Sequence, residues 1–216
     1  MRFSSIAGLA ALLVAGLARA QPVDNDYYAN GGTVLLSTVE RYHILPAEEK
    51  MRIKYYSSAR QDLDFVLRYF PNHPQGLLLM VQLCTERTQQ ACDLDFLFEK
   101  AIAVNPNVAG PYVTRGVYLH RVKRYAEAIA SYQRALALNP DSMNTHYNLA
   151  LAYLETKQYG LANEHAQRAY ELGAPLPGLR ERLKQIRQWK PVAATGADSQ
   201  PRSPVAAGAG RVTAAP

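Results

Sequence analysis

The chain of 216 residues carries 24 Lys plus Arg against 18 Asp plus Glu, a formal charge of +6, and its length fits one domain with tails. Hydrophobic residues make up 48%, which excludes wholesale disorder, and only residues 1–20 resemble a membrane segment, which excludes a multi-spanning protein. Two cysteines cannot build a disulfide-dense mini-protein, while +6 raises nucleic acid or an anionic surface as partners.

Residues 1–20 read as a secretory signal. Arg2 supplies the positive start, Ile6 to Leu17 is apolar, and Ala18-Arg19-Ala20 offers a small-x-small cleavage site. An uncleaved anchor is the rival, but roughly twelve apolar residues are too few to span a bilayer. Cleavage after Ala20 would leave the remainder in an oxidising space, the bacterial periplasm or the medium. Residues 21–37 are expected to be loose. Pro46-Ala47-Glu48-Glu49 then resembles a helix start, with proline early and acids facing the positive dipole end. Residues 46–54 and 58–70 are predicted as a short first helix and a second one, within a truncated helix pair over 38–74.

An internal repeat follows. Ala101-Ile102-Ala103-Val104-Asn105-Pro106 matches Ala135-Leu136-Ala137-Leu138-Asn139-Pro140 at an offset of 34. The same offset maps Gly116 onto Ala150, Leu119 onto Tyr153, Ala128 onto Ala162 and Ala135 onto Ala169. Small residues let two antiparallel helices approach, and bulky ones fill the gaps between neighbouring pairs. Upstream, Asp62-Leu63-Asp64-Phe65 recurs as Asp93-Leu94-Asp95-Phe96, and the recurrence of these acids points to architecture. Asp62 and Asp93 are expected near helix N-termini.

Past Gly173, Pro175 and Pro177 interrupt the pattern, and residues 178–189 resume a helix with Leu179, Leu183 and Ile186 on one stripe. Residues 191–216 contain 15 Ala, Gly or Pro in 26 positions and are expected to be disordered. The charge is unevenly placed: residues 21–175 hold 15 basic and 16 acidic groups, whereas Arg180, Arg182, Lys184, Arg187 and Lys190 face only Glu181 in the next stretch. Nucleic-acid binding loses its basis, and the basic question becomes one about a single helix.

In residues 109–142, Tyr112, Gly116, Leu119, Ala128, Tyr132, Ala135 and Pro140 resemble the signature of the tetratricopeptide (TPR) family, a 34-residue helix–turn–helix. Residues 143–176 fit with His146, Leu149, Ala150, Tyr153, Ala162, Ala166 and Ala169. Residues 75–108 fit less well, since Gln82 and Leu94 stand where the family keeps small residues, so a pairing that is looser or shifted by a residue is expected there. The resemblance implies an all-α, right-handed solenoid of antiparallel helix pairs. Its truncated N-terminal pair is a cap, and residues 177–190 form a C-terminal solvating helix.

The resemblance also implies where chemistry can sit. Cys84 and Cys92 take facing positions across the helix–turn–helix of 75–108, which makes a structural disulfide plausible; two buried thiols or a redox pair are the rivals. The first helices of successive repeats would line a concave groove with Leu79, Leu83, Glu86, Val113, Val117, His120, Arg121, Asn144, Tyr147, Asn148, Leu151 and Glu155. Asn148 matches a place where the family often holds a ligand backbone. Val113 and Tyr147 replace the cations of the carboxylate-clamp version, so an acidic chaperone tail is not the expected ligand. Five histidines show no HxxxH spacing, and no nucleophile elbow or phosphate loop is present. The expectation is a non-catalytic scaffold of the bacterial envelope, without cofactor or metal, binding a peptide or amphipathic helix of another protein. The alternative is a membrane-surface adaptor, docking anionic lipid or an acidic protein through Arg180, Arg182, Lys184, Arg187 and Lys190.

Overall fold

The computed structural model describes residues 25–29, 31, 33–86 and 92–190. The signal-like residues 1–20 and the tail 191–216 lie outside them. Every regular element among the described residues is a helix, and none is long and apolar enough to cross a membrane.

The first helical rod starts earlier than Pro46. It runs from α1 (Val34–Val39) through a π-helical turn (Glu40–Ile44) into α2 (Leu45–Arg52). Thr33 caps it by accepting the Leu36 N–H at 3.2 Å. Pro46 is tolerated inside because the π turn precedes it. A proline offers no N–H to the carbonyl four residues back and crowds it, and the wider turn relieves both faults. Residues Asn25 to Ala29, expected to be loose, lie against the stack instead, with the Asn25 N–H bonded to the Tyr69 carbonyl at 3.0 Å.

Four helix pairs follow one another: α1–α2 with α3 (Tyr56–Tyr69), α4 (Pro74–Thr85) with α5 (Leu94–Val104), α6 (Ala109–Arg121) with α7 (Tyr125–Leu138), and α8 (Met143–Glu155) with α9 (Tyr159–Glu171). In three of them the turn between helices is closed by a lysine in the left-handed region: Lys54, Lys123 and Lys157, at φ 62°, 64° and 61°. Around Lys123, the Arg124 N–H reaches the Leu119 carbonyl (2.8 Å) and the Lys123 N–H the His120 carbonyl (3.0 Å). The bonds recur at Gln158 to Tyr153 and Lys157 to Leu154. This cap satisfies the last carbonyls of the first helix and sets a cation at the negative end of its dipole.

Residue size sets how closely each pair approaches. In the third pair Gly116 lies under the ring of Tyr132, and in the fourth the same places hold Ala150 and Ala166, both fully buried. In the second pair they hold Gln82 and Phe98. Two large residues cannot share the crossing, so α4 and α5 diverge where α6/α7 and α8/α9 pack closely. The sequence between α4 and α5 carries no lysine, and a disulfide joins Cys84 to Cys92, with Cα atoms 6.0 Å apart. The looser pairing read from Gln82 and the bond read from the two cysteines are both present.

The core falls into two clusters, one from Leu36 to Ala101 and one from Leu119 to Leu183, with Tyr118 packed against both. Asp93 caps α5 as expected, accepting the Phe96 N–H at 3.0 Å. Asp62 does not sit at a helix start; it lies within α3 and holds His43 (3.1 Å) and Lys50 (2.5 Å). The last helix, α10 (Gly178–Gln185), is shorter than the expected 178–189. Arg187 turns left-handed at φ 57°, and the chain folds back over α9. Leu179 and Leu183 are fully buried against the last pair, while Ile186 stays 42% exposed because the helix ends before it.

Candidate functional site

Helices α4, α6, α8 and α10 pack side by side, so the first helices of successive pairs form one face. The predicted groove residues divide on it. Leu79 and Leu83 do not line it: both belong to the first core cluster, since α4 is packed by α2, α3 and α6. Glu86 is exposed at the end of α4. Val113, Val117, His120, Tyr147, Asn148 and Leu151 are half-buried, and Arg121, Asn144 and Glu155 are exposed. Val117, Tyr147 and Leu151 rest on the second core cluster, offering one flank to the core and the other to the face.

Polar side chains tie the helices of this face together. Arg121 donates to Thr85 Oγ1 across α6 and α4 at 3.1 Å, and Arg182 donates to Glu155 across α10 and α8 at 2.8 Å. His120 lies between, its ring 5.3 Å from that of Tyr125. Burial pushes the His120 pKa down; Glu155 pulls it up and Arg182 opposes that pull. Burial thus favours the neutral form of an imidazole set between Tyr125 and the Glu155–Arg182 pair.

Beside Tyr147 the face deepens into a cavity of about 230 Å³. Met143, Asn144, Tyr147 and Asn148 of α8 form one wall, and Ala174, Pro175 and Leu176 of the following linker form the other. The linker wall escaped the sequence reading, although its signal was present: Pro175 and Pro177 prevent residues 174–177 from continuing either helix. The two asparagine amides supply donors and acceptors at an otherwise apolar site, the composition that holds a peptide by its backbone and one side chain.

On α9 lies a larger and more polar hollow of about 450 Å³, bordered by His146, Glu164, His165, Arg168, Glu171 and Lys190 among others. His146 Nε2 donates to the Pro140 carbonyl (2.9 Å), so its Nδ1 accepts from His165 Nδ1, also at 2.9 Å. Burial, then the neighbouring His146, lowers the His165 pKa. Among the described residues no group of three or more His, Cys, Asp or Glu is placed to hold a metal ion.

The basic helix is largely engaged with its own protein. Arg180 lies 4.2 Å over the Tyr170 ring and 5.3 Å from Trp189, Arg182 pairs with Glu155 and Lys184 pairs with Glu181 at 3.0 Å. Arg187 forms the turn, and the backbone of Lys190 is held by the Asn163 amide through two bonds of 3.0 Å.

Stacked antiparallel pairs with a capping helix define a helical-repeat protein. Residues 119–157 match the family model described as TPR repeat. The chain is 29% identical over 94 residues to the mouse protein O-mannosyl-transferase TMTC3, covering 44% of this chain and 10% of that protein. It is 38% identical over 68 residues to the peroxisomal targeting signal receptor of Candida glabrata, covering 32% and 12% respectively. The chain thus spans about a tenth of the length of these curated relatives. Among solved structures, PilF of Pseudomonas aeruginosa superposes with a TM-score of 0.56 at 21% identity, over 70% of this chain and 71% of that one. That likeness shows the fold alone.

Proposed function

We propose that the protein is a non-catalytic scaffold that seats an extended peptide or an amphipathic helix of another protein along the face of α6 and α8. The observation that carries this is the cavity of about 230 Å³ between α8 and the linker, with Tyr147 as its apolar wall and the Asn144 and Asn148 amides beside it. A peptide helix or strand can bury one apolar side chain there and bond its backbone to Asn148, and Val113 and Val117 extend the apolar track. One relative in sequence is by name a receptor of a targeting signal, which fits recognition of a peptide segment.

The location proposed is the bacterial envelope, with residues 1–20 as an export signal removed after Ala20. A cystine between Cys84 and Cys92 fits an oxidising compartment. The alternative of a membrane-surface adaptor is not carried further, because Arg180, Arg182 and Lys184 already have partners within the fold.

The test is capture of partners by the mature protein from native envelope with cross-linking, set beside the variant Tyr147→Ala with Asn148→Ala. Capture should fall by about tenfold or more, the loss expected when an anchor and a backbone hydrogen bond go together. Capture that persists in full sinks the groove reading. Liposome binding abolished by charge reversal at Arg182, Lys184 and Arg187 would favour the adaptor instead.

A further inference from the structure

On the edge where second helices turn into first helices, a short segment with no regular structure is bound to the stack by specific polar contacts. The Asp26 carboxylate bridges two consecutive inter-repeat turns. Its Oδ1 accepts from Asn72 Nδ2 and its Oδ2 from Asn105 Nδ2, both at 2.7 Å. Asn72 is fully buried and uses its other amide end as well, accepting the Tyr27 N–H at 2.8 Å. The Asn25 amide and N–H both donate to the Tyr69 carbonyl, at 3.1 and 3.0 Å.

Each tyrosine has a dedicated seat. The Tyr27 ring meets the His73 ring edge-on at 4.8 Å and packs on the first core cluster. Tyr28 lies over Gly110 at the start of α6, with ring carbon Cζ 3.1 Å from where a Cβ would stand and the hydroxyl closer still. A side chain at this position would push the Tyr28 ring aside. The contacts separate into backbone bonds, a bridged carboxylate and two aromatic seats, the division of labour of a peptide-recognition surface. Asn72, His73 and Asn105 lie in the inter-repeat turns, and Gly110 opens α6 one helical turn before Val113.

We propose that this edge is a peptide-binding site in which Asn72, His73, Asn105 and Gly110 read an aspartate followed by two aromatic residues, with residues 25–28 of the chain as its tethered ligand. The bridged carboxylate gives the site its charge selectivity, because two amide donors converge on one anion. Tethering places the natural segment at an effective concentration of the order of millimolar. A free peptide of the same sequence therefore enters only when the tethered copy is disabled. The turn edge continues past the segment to Asn139, the repeat equivalent of Asn105, which is exposed.

The test uses the full chain carrying Asp26→Ala, Tyr27→Ala and Tyr28→Ala, and a fluorescein-labelled peptide of residues 23–30. The triple variant should bind the peptide saturably by anisotropy, about tenfold or more tighter than the unmodified chain does. Adding Asn105→Ala, or placing Asn for Asp26 in the peptide, should weaken binding about tenfold. A variant with native circular dichroism that ignores the peptide, or binds the Asp and Asn peptides equally, overturns the proposal. Should the triple variant not fold, Gly110→Ala in the otherwise unmodified chain answers instead. It displaces Tyr28 without harming helix propensity, and should speed chymotryptic cleavage after Tyr27 and Tyr28 by about tenfold. Unchanged cleavage there contradicts the proposal too.

Discussion

The ring of Tyr132 lies where a side chain on Gly116 would go: Cδ1 and Cζ are 2.6 and 2.7 Å from the ideal Cβ position. The closest approach of α6 and α7 thus depends on a hydrogen atom facing a phenol. One repeat later Ala150 and Ala166 fill the corresponding places with two small residues. Gly116→Ala should cost about 1–3 kcal/mol by overpacking. Tyr132→Ala should cost about 3–5 kcal/mol through the cavity it leaves. The double variant reproduces the next repeat and should cost clearly less than the two losses added, as denaturant titration of a double-mutant cycle reads directly. Additive losses would mean that the two residues do not set the spacing. The buried Tyr132 hydroxyl has no hydrogen-bond partner among the described residues, so Tyr132→Phe should be neutral or stabilising by about 1 kcal/mol.

The second pair depends on its disulfide because its crossing holds Gln82 and Phe98. Without reductant, the denatured protein should show no free thiol. Cys84→Ser with Cys92→Ser should lower stability by roughly 2–3 kcal/mol on the chain-entropy scale for so short a loop. Hydrogen exchange should place that loss in α4 and α5, leaving α8 and α9 protected. An even loss over all helices would contradict the divergent pair.

His73 caps α4 through Nδ1, which accepts the Gly76 N–H at 3.1 Å. Burial pushes its pKa down from 6.5 to about 4. Folded His73 is neutral while the unfolded residue takes up a proton below about 6.5, so the unfolded state binds more protons between those values. Stability is therefore complete above pH 6.5 and falls as the pH drops towards 4, by about 3 kcal/mol at most. The lowered pKa values of His120 and His165 act with the same sign. For Asp26, burial opposes the charge, but the amides of Asn72 and Asn105 outweigh it and hold the carboxyl below its usual range. Its contribution is lost at lower pH still. His73→Asn retains a capping oxygen and should flatten the slope of urea midpoint against pH between 4 and 6.5.

Arg180 is held between two aromatic rings, and the bond from its N–H to the Tyr170 hydroxyl (3.0 Å) secures the start of α10. Arg180→Ala should cost about 1–2 kcal/mol, and Arg180→Lys should recover only part because the planar stack is lost. Trp189, the sole tryptophan, reports the change: its emission should shift red as α10 loosens. An unshifted spectrum would mean that Leu179, Leu183 and the backbone bond from Arg180 to Tyr170 hold the helix without the cation–ring stack.

The repeat was legible because its signal is covalent periodicity. An offset of 34 places Gly116 on Ala150 and Ala135 on Ala169, and those residues are where helices touch. Gln82 announced a looser pair, and Cys84 and Cys92 announced what holds it, because size and thiol chemistry act at one position each. The start of the first helix was misread at Pro46, since a proline's local preference does not show that a π turn will carry the helix through it. Leu79 and Leu83 were misplaced because repeat position predicts the groove only where neighbouring helices leave it open, and α2 and α6 close it over α4. The strap of Asn25 to Tyr28 had no pattern to read. Its partners Asn72 and Asn105 are distant in sequence, and only folding brings them to one carboxylate.

Amide hydrogen exchange of the mature protein, with and without the partner it captures, tests the central claim most directly. The account predicts partner-dependent protection concentrated in Met143–Glu155 and in residues 174–176, and its absence in the Tyr147→Ala, Asn148→Ala variant. Protection confined to residues 178–190, with α8 exchanging as in the free protein, would contradict it.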